Sequence, residues 1–432
     1  MRTVVSAPGT GQYTQEVGRA FLEHAALDVY VTSFAYHPES RLARMLGKIP
    51  SSLAQKLTRE FERRSVTLLP HDLVRTFPFW EIARTAASRA GAGPVLIDRL
   101  WDRSAHNLDD HVARKYVPKT AAVYAYEYSA RKTFDRARRE GVASILDLPS
   151  LDSRAFEALQ RAERERFPEL KSASDAYFAR KFDIRQKRRE EEVRLANVIV
   201  TNSNLNKRSH VQAGAEPSKI FVVPLGAPPA ISSVAMPLDR NRPLEVVWAG
   251  SFIIRKGAHY FLEAWRQLNP GKAARASVYG SVALPETALR PLPDGVVFHG
   301  SVAQLQLLAA LQAADVLIFP TLSDGFGLVV TEAFSQGLPV ITTEAAGAAE
   351  LVRAGENGLI VRAADATALA EALRWCLDNR DKLHTMRYAA LNTAKSWQWS
   401  DYRRTLISTL ETALRSTGFS PSFTSPAALA AQ

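Results

Sequence analysis

Phe319-Pro320-Thr321-Leu322-Ser323-Asp324-Gly325-Phe326-Gly327-Leu328-Val329-Val330-Thr331-Glu332-Ala333 opens a stretch, running to Val361, that reads strand, loop, helix, strand, loop, helix, strand. Residues 316–319 are all apolar, which suits a strand covered on both faces of a parallel sheet. A helix over 329–335, a strand over 339–342 and a strand over 358–361 follow. Outward from there, strands are expected over 244–249, 276–279 and 296–299, closed by Gly250, Gly280 and Gly300. Helices over 258–268 and 305–313 lie between strands; Tyr260, Phe261, Ala264, Trp265 and Leu268 recur at helical spacing. Strands alternating with helices predict an α/β fold with a doubly wound parallel sheet, whose ligands bind at the C-terminal edges of its strands.

The first half repeats this style less cleanly. Strands are expected over 3–6 and 29–32 around a helix over 15–25, with later strands over 142–147 and 196–201. Residues 154–194 are densely charged and expected to be mostly helical with their charges at the surface. The reading is two Rossmann-like doubly wound domains facing each other across a cleft, joined through residues 225–242 near Pro224, Pro228, Pro229 and Pro237. The first domain spans 1–225 and the second 243–395; a closing helix over 396–418 and an unfolded Ser/Pro/Ala-rich tail over 419–432 complete the chain.

The 432 residues are 46% apolar and 23% charged, which excludes a disordered, collagen-like or coiled-coil chain. The single cysteine, Cys376, excludes an intramolecular disulfide and a cysteine-ligated metal centre. No run approaches the ~18–20 apolar residues of a membrane span, and Met1–Val5 leads straight into Ser6-Ala7-Pro8-Gly9 without a signal-like segment. A soluble cytoplasmic protein is expected. The net charge of +11 is uneven: residues 1–225 hold 37 Lys and Arg against 27 Asp and Glu, residues 226–432 hold 18 against 17. That basic half fits docking on an anionic membrane surface, peripheral at its inner face, or a solvated surface that keeps the protein soluble. Nucleic acid fits poorly as a partner, because Arg180–Arg194 offers Phe182 as its only aromatic stacking platform.

Two loops carry candidate chemistry. In the first, Gly325 and Gly327 let backbone approach a ligand, the next helix offers N–H groups to an anion, and Asp324 and Glu332 could bond hydroxyls at opposite ends of a polar ligand. An ordinary strand–helix turn is the alternative. The second is Gly250-Ser251-Phe252-Ile253-Ile254-Arg255-Lys256-Gly257, where adjacent cations suit a diphosphate or form a solvated basic turn. Both loops follow strands of one sheet and so project from the same edge. His106 and His111, five apart, do not share a helical face as metal ligands would and read as ordinary surface histidines.

From Thr201 to about Tyr402 the chain resembles the retaining nucleotide-sugar glycosyltransferases of family 4, which have the GT-B fold. Thr201-Asn202-Ser203, Lys219-Ile220-Phe221-Val222-Val223-Pro224-Leu225-Gly226, Arg255-Lys256-Gly257, Val297-Phe298-His299-Gly300, Ala314-Asp315-Val316-Leu317-Ile318-Phe319-Pro320, Gly337-Leu338-Pro339-Val340-Ile341 and Gly355-Glu356-Asn357-Gly358-Leu359 carry the likeness in order. The resemblance implies a nucleoside-diphosphate sugar donor in the second half, with Lys256 and Arg255 neutralising the leaving diphosphate, Asp324 facing the transferred sugar and Glu332 holding the ribose. Ser251, Gly325, Phe326, Gly327 and Leu328 would line the donor, with Gly9 and Gly11 of Gly9-Thr10-Gly11 beneath its phosphates. The segment from Ser396 to Tyr402 resembles a closing helix that crosses back to the first domain. Two departures stand out: Ser251 replaces a frequent Arg, and Asp324 replaces the first Glu of a Glu-x7-Glu pair. The acceptor side lacks the usual histidine; Asp147 or Asp152 could stand in, and Asp152 equally suits a helix cap. The implied enzyme passes a sugar to a saccharide or lipid-linked glycan in cell-surface polysaccharide biosynthesis, with no metal or other cofactor. The alternatives are a sugar-nucleotide-binding module without transfer, and a nucleic-acid-binding protein.

Overall fold

A sheet built only from parallel strands sends every strand's C-terminal end to one edge, and both sheets of this protein are built so. The computed structural model describes residues 1–37, 64–234, 241–421 and 423. Among them the first sheet has seven strands: β1 (Thr3–Ala7), β2 (Leu27–Thr32), β3 (Val74–Thr76), β4 (Ala122–Tyr126), β5 (Ala143–Leu148), β6 (Val198–Thr201) and β7 (Ile220–Val222), ordered β3-β2-β1-β4-β5-β6-β7. The second has six: β8 (Leu244–Ala249), β9 (Ala274–Tyr279), β10 (Val296–Gly300), β11 (Val316–Phe319), β12 (Val340–Thr343) and β13 (Gly358–Val361), ordered β10-β9-β8-β11-β12-β13. The pairings are parallel, from β1 with β2 and β4 to β8 with β9 and β11. The order reverses beside β1 in one sheet and β8 in the other, and a crevice for a ligand opens at such a point. Gly9 and Gly11 follow β1, Lys256 follows β8 and Asp324 follows β11.

Several elements sit where the sequence puts them: β8, β11, β13 and the helix Ala258–Leu268 have the expected bounds. Three strands are not expected from the sequence. β4 is Ala-Val-Tyr-Ala-Tyr, fully buried but without the Val/Ile/Leu run of a central strand, and β3 and β7 have three residues each.

The charged region forms the helices Ser153–Arg166 and Asp175–Leu195, but its charges are not all at the surface. Glu192 is wholly buried and accepts the backbone N–H groups of Tyr128, Ala130 and Arg131 at 2.5, 3.0 and 3.1 Å. Arg188 pairs with buried Asp109, and Arg185 with Asp98 and Asp102 at 2.6 and 2.8 Å. A charge leaves water where its hydrogen bonds are replaced, here by carboxylates of the helix Pro94–Lys115 and by the backbone at residues 128–131. His106 and His111 also differ from the surface reading. Both are half-buried on the helix Pro94–Lys115 with Nε2 atoms that lack a hydrogen-bond partner among the described residues, and burial pulls each ring down to about 4. Among the described residues no group of three or more His, Cys, Asp or Glu could hold a metal ion, and no helix is long and apolar enough to cross a membrane.

The last helix, Trp399–Ser416, lies against Gln12–Glu23, where Arg403 bonds Glu16 and Glu23 at 2.6 and 2.7 Å. Gly226 makes the crossing possible: a Cβ there would lie 2.5 Å from the Trp399 backbone nitrogen. Within the expected unfolded tail, Phe423 is buried, its ring 6.0 Å from Phe21; residues 422 and 424–432 lie outside the described residues.

Asp147 is the second-to-last residue of β5. It is wholly buried; its Oδ2 accepts the hydroxyls of Tyr13 and Tyr124 while Tyr126 and Tyr402 pack around Tyr13, and among the described residues its Oδ1 has no partner. Burial pushes its carboxyl up to about 7. Buried in this way, Asp147 presents no surface to solvent. Asp152 caps the helix Ser153–Arg166, accepting the Arg154 backbone N–H at 3.0 Å.

An unfolded-state aspartate titrates near about 3.9. Between there and about 7 the native protein holds a proton on Asp147 that the unfolded chain has lost, so stability falls across that window as pH rises and is level above it. Asp147→Asn removes this loss. Relative to the parent, the variant should gain more than about 1 kcal/mol between pH 5 and pH 8 in urea unfolding, since the other titrating groups are common to both proteins. A pH-independent difference would contradict the assignment.

Candidate functional site

The turn after β8 is shaped by what it must pack against. Gly250 adopts φ +117°, and the Phe252 ring is buried against Trp248 with centroids 4.8 Å apart. A single helical turn, Ile254–Lys256, then ends at Gly257 with φ +76°. A Cβ on Gly257 would lie 1.9 Å from the Pro320 carbonyl oxygen, so only glycine lets this turn close on the end of β11. Bonds from the Leu322 N–H and the Thr321 hydroxyl to the Arg255 carbonyl, at 2.9 and 3.1 Å, lock the two loops together.

That closure brings the expected catalytic residues into contact. Lys256 Nζ pairs with Asp324 Oδ2 and lies 4.5 Å from the centre of the Phe319 ring. Arg255 Nη1 donates to Asp324 Oδ2 at 3.1 Å and to the Ser323 carbonyl at 2.9 Å. Burial alone would lift the Asp324 carboxyl, but Lys256 and Arg255 hold it below the usual carboxylate range. Burial likewise draws the Lys256 ammonium below its ordinary value, with Asp324 opposing.

The loop beyond Asp324 is fixed from both halves. Asp324 Oδ1 accepts the Phe326 N–H at 3.3 Å, and Asp324 exchanges backbone bonds with Ala345 and Gly347, each at 3.0 Å. From the first half, Ser203 Oγ donates to the Gly325 carbonyl at 2.6 Å while accepting the Asn206 N–H at 3.1 Å. A Cβ on Gly325 would meet the Pro149 carbonyl oxygen at 2.0 Å. Gly327, with φ +99°, starts the helix Leu328–Ser335, whose first N–H groups follow it directly, and Phe326 is buried.

The other expected residues lie further out. Glu332, half-buried on that helix, accepts the Gln304 amide at 2.8 Å, and burial raises its carboxyl. Ser251 is exposed and accepts the Ser281 hydroxyl at 3.2 Å. A Cβ on Gly9 or Gly11 would have nothing within 4 Å among the described residues, so both border open space there, and their carbonyls accept the Thr14 hydroxyl at 3.1 and 2.9 Å.

Two contacts between the halves have no counterpart in the sequence reading. Glu163 Oε2 lies 2.8 Å from His259 Nε2, and the Tyr260 hydroxyl donates to Glu163 Oε1 at 3.2 Å, fastening the helix Ser153–Arg166 to the helix that follows Lys256. Glu350 accepts the Asn204 and Leu205 N–H groups at 3.3 and 3.0 Å, capping the helix Asn204–Gln212 from the other half. Ser203 before a helix is a legible cap. Glu163 and Glu350 carry no local signal of their distant partners.

Two cations, a carboxylate and the start of a helix thus meet at the C-terminal edge of the second sheet, an arrangement that suits an anionic ligand. Residues 243–379 match the family of Glycosyl transferases group 1. A D-inositol 3-phosphate glycosyltransferase of Nocardia farcinica is 29% identical over 241 residues, covering 51% of this chain and 53% of the relative. The chain therefore spans about half the length of that relative. Among solved structures, sucrose-phosphate synthase of Thermosynechococcus elongatus superposes with a TM-score of 0.65 at 17% identity, over 96% of this chain and 99% of that one. Anabaena Alr3699/HepE in complex with UDP-glucose gives 0.60 at 15% identity, over 95% of this chain and all of that one. The fold common to these structures and this chain is GT-B, and residues 243–379 form its glycosyl transferases group 1 domain.

Proposed function

We propose that the protein transfers a sugar, with retention, from a nucleoside-diphosphate sugar to a hydroxyl of a saccharide or lipid-linked glycan, in the assembly of a cell-surface polysaccharide. The convergence of Arg255 and Lys256 on one buried point at the β8 and β11 edge carries this reading. A departing diphosphate develops negative charge, and preorganised cations there contribute several kcal/mol, about 3–4 for one well-placed donor. The N–H groups at the start of Leu328–Ser335 add to that field. In this reaction the acceptor oxygen bonds to the anomeric carbon on the face from which the diphosphate leaves, the carbon–oxygen bond to phosphate breaks, and the hydroxyl proton passes to a phosphate oxygen. Glu332 would hold the ribose, and the open space at Gly9 and Gly11 would admit the reacting groups. The complex of Alr3699/HepE with UDP-glucose supports a donor of this class. One observation favours binding without transfer: Asp147 and Asp152 are both engaged elsewhere, leaving no carboxylate of this pair free for an acceptor.

A lipid-linked acceptor would bring the protein to a membrane. The helices Phe79–Arg89 and Pro94–Lys115 pack on each other, and none of the residues of the first is fully buried. Phe79 and Ile82 are 70% and 48% exposed, Leu96 and Trp101 are exposed on the second helix, and Arg75, Arg99 and Arg103 are exposed beside them. Apolar and cationic side chains together suit an anionic leaflet, each cation near the surface contributing about 1 kcal/mol. The proposed place is therefore the cytoplasmic face of the membrane.

Lys256→Ala should lower turnover by roughly a hundredfold or more while the protein stays folded. The substrate to use is the sugar nucleotide whose diphosphate, among UDP, GDP and ADP, raises the melting midpoint of the parent. Near-normal turnover in a folded variant would end the assignment.

Sedimentation with vesicles tests the membrane reading. Binding should rise with anionic lipid, fall as salt is raised and weaken in Phe79→Ser/Ile82→Ser. Binding indifferent to lipid charge and to salt would refute it.

A further inference from the structure

The cations that the proposed reaction assigns to the diphosphate already hold an anion. Arg255 Nη1 lies 3.1 Å from Asp324 Oδ2, and Lys256 Nζ pairs with that same oxygen. The Asp324 and Lys256 side chains are 13% and 16% exposed, so water screens them little. The second carboxylate oxygen accepts the Phe326 N–H at 3.3 Å, an amide of the loop that would line the donor. Asp324 therefore draws on the donors a phosphate oxygen would use: an ammonium, a guanidinium and a loop N–H.

We propose that Asp324 is a built-in competitor of the diphosphate, which lowers the affinity of the bare nucleoside diphosphate and so distinguishes the sugar-nucleotide donor from the spent product. This rests on the reading of Arg255 and Lys256 as diphosphate-binding groups. With Asp324 ionised, two positive charges and one negative face the incoming ligand; without its charge, two positive charges do. At separations of a few ångströms in a poorly screened site that difference is large. A diphosphate that takes over Lys256 and Arg255 leaves Asp324 with unmet acceptor capacity. The hydroxyls of a transferred sugar can meet it, and a bare diphosphate has none to offer.

Backbone bonds and Ser203 hold the loop besides the carboxylate. The Asp324 N–H bonds the Ala345 carbonyl, the Gly347 N–H bonds the Asp324 carbonyl, and Ser203 holds the Gly325 carbonyl. Asp324→Asn retains an oxygen for the Phe326 N–H and removes only the charge, so a change in affinity reports the competition and not the turn.

Calorimetric titration of UDP, GDP and ADP into the parent, Asp324→Asn, Asp324→Glu and Lys256→Met tests this. For the nucleotide that the parent binds, Asp324→Asn should bind at least tenfold tighter, Asp324→Glu should stay near the parent and Lys256→Met should bind more weakly. The affinity of the matching sugar nucleotide should rise less than that of the bare diphosphate in Asp324→Asn, narrowing the preference for donor over product. A merely structural role for Asp324 produces no gain in affinity. If Asp324→Asn binds no tighter while Lys256→Met weakens binding, the competitor proposal falls and the diphosphate reading stands. If no diphosphate binds, or Lys256→Met changes nothing, both fall. Should Asp324→Asn fail to fold by circular dichroism, Asp324→Ser replaces it; unfolding of both variants makes the pair structural and overturns the proposal.

Discussion

Parallel pairing is the constraint from which the site follows. Because β8 and β11 run side by side in one direction, the turn after one and the loop after the other leave the sheet together. Sequence separation then ceases to matter: Lys256 and Asp324 are 68 positions apart and form an ion pair. The contact also needs Gly257, since any Cβ would strike the Pro320 carbonyl and hold the two loops apart. Topology supplies the neighbourhood, and one glycine supplies the last few ångströms.

The same economy of space governs how the two halves meet. Gly226 admits the backbone of Trp399, Gly325 admits the Pro149 carbonyl, and Gly347 sits with its missing Cβ 2.0 Å from the Gly325 carbonyl and 2.5 Å from Ser203 Oγ. Around these close approaches lie polar clasps, with Ser203 on Gly325, Glu350 on the start of Asn204–Gln212 and Glu163 on His259. They hold the loop at 323–328 against the C-terminal edge of the first sheet. The transfer proposed above would rely on such an arrangement to hold its two substrates in reacting geometry.

How much of this is legible in the sequence depends on whether the signal is local. Runs such as Val316–Phe319 and Gly358–Val361 betray a strand by themselves, and Arg255-Lys256-Gly257 betrays a basic turn. β4 does not, because its buried face is made of tyrosines that pack around Asp147 and the last helix, an environment assembled from four distant segments. The buried charges of Asp175–Leu195 are invisible for a related reason. A run such as Arg188-Arg189-Glu190-Glu191-Glu192 reads as a solvated face, and only Asp109 on the opposite helix and the N–H groups of Tyr128 and Ala130 show which members turn inward. The sequence places Asp324 on the correct loop, but its occupation by Lys256 and Arg255 is a property of the fold.

The direct measurement is a crystal structure of the protein with the nucleoside diphosphate that stabilises it. The account requires phosphate oxygens within hydrogen-bonding distance of Lys256 Nζ and the Arg255 guanidinium, beside the start of Leu328–Ser335, with the Lys256–Asp324 pair opened. A diphosphate seated away from the β8 and β11 edge, or held there without Lys256, would contradict it.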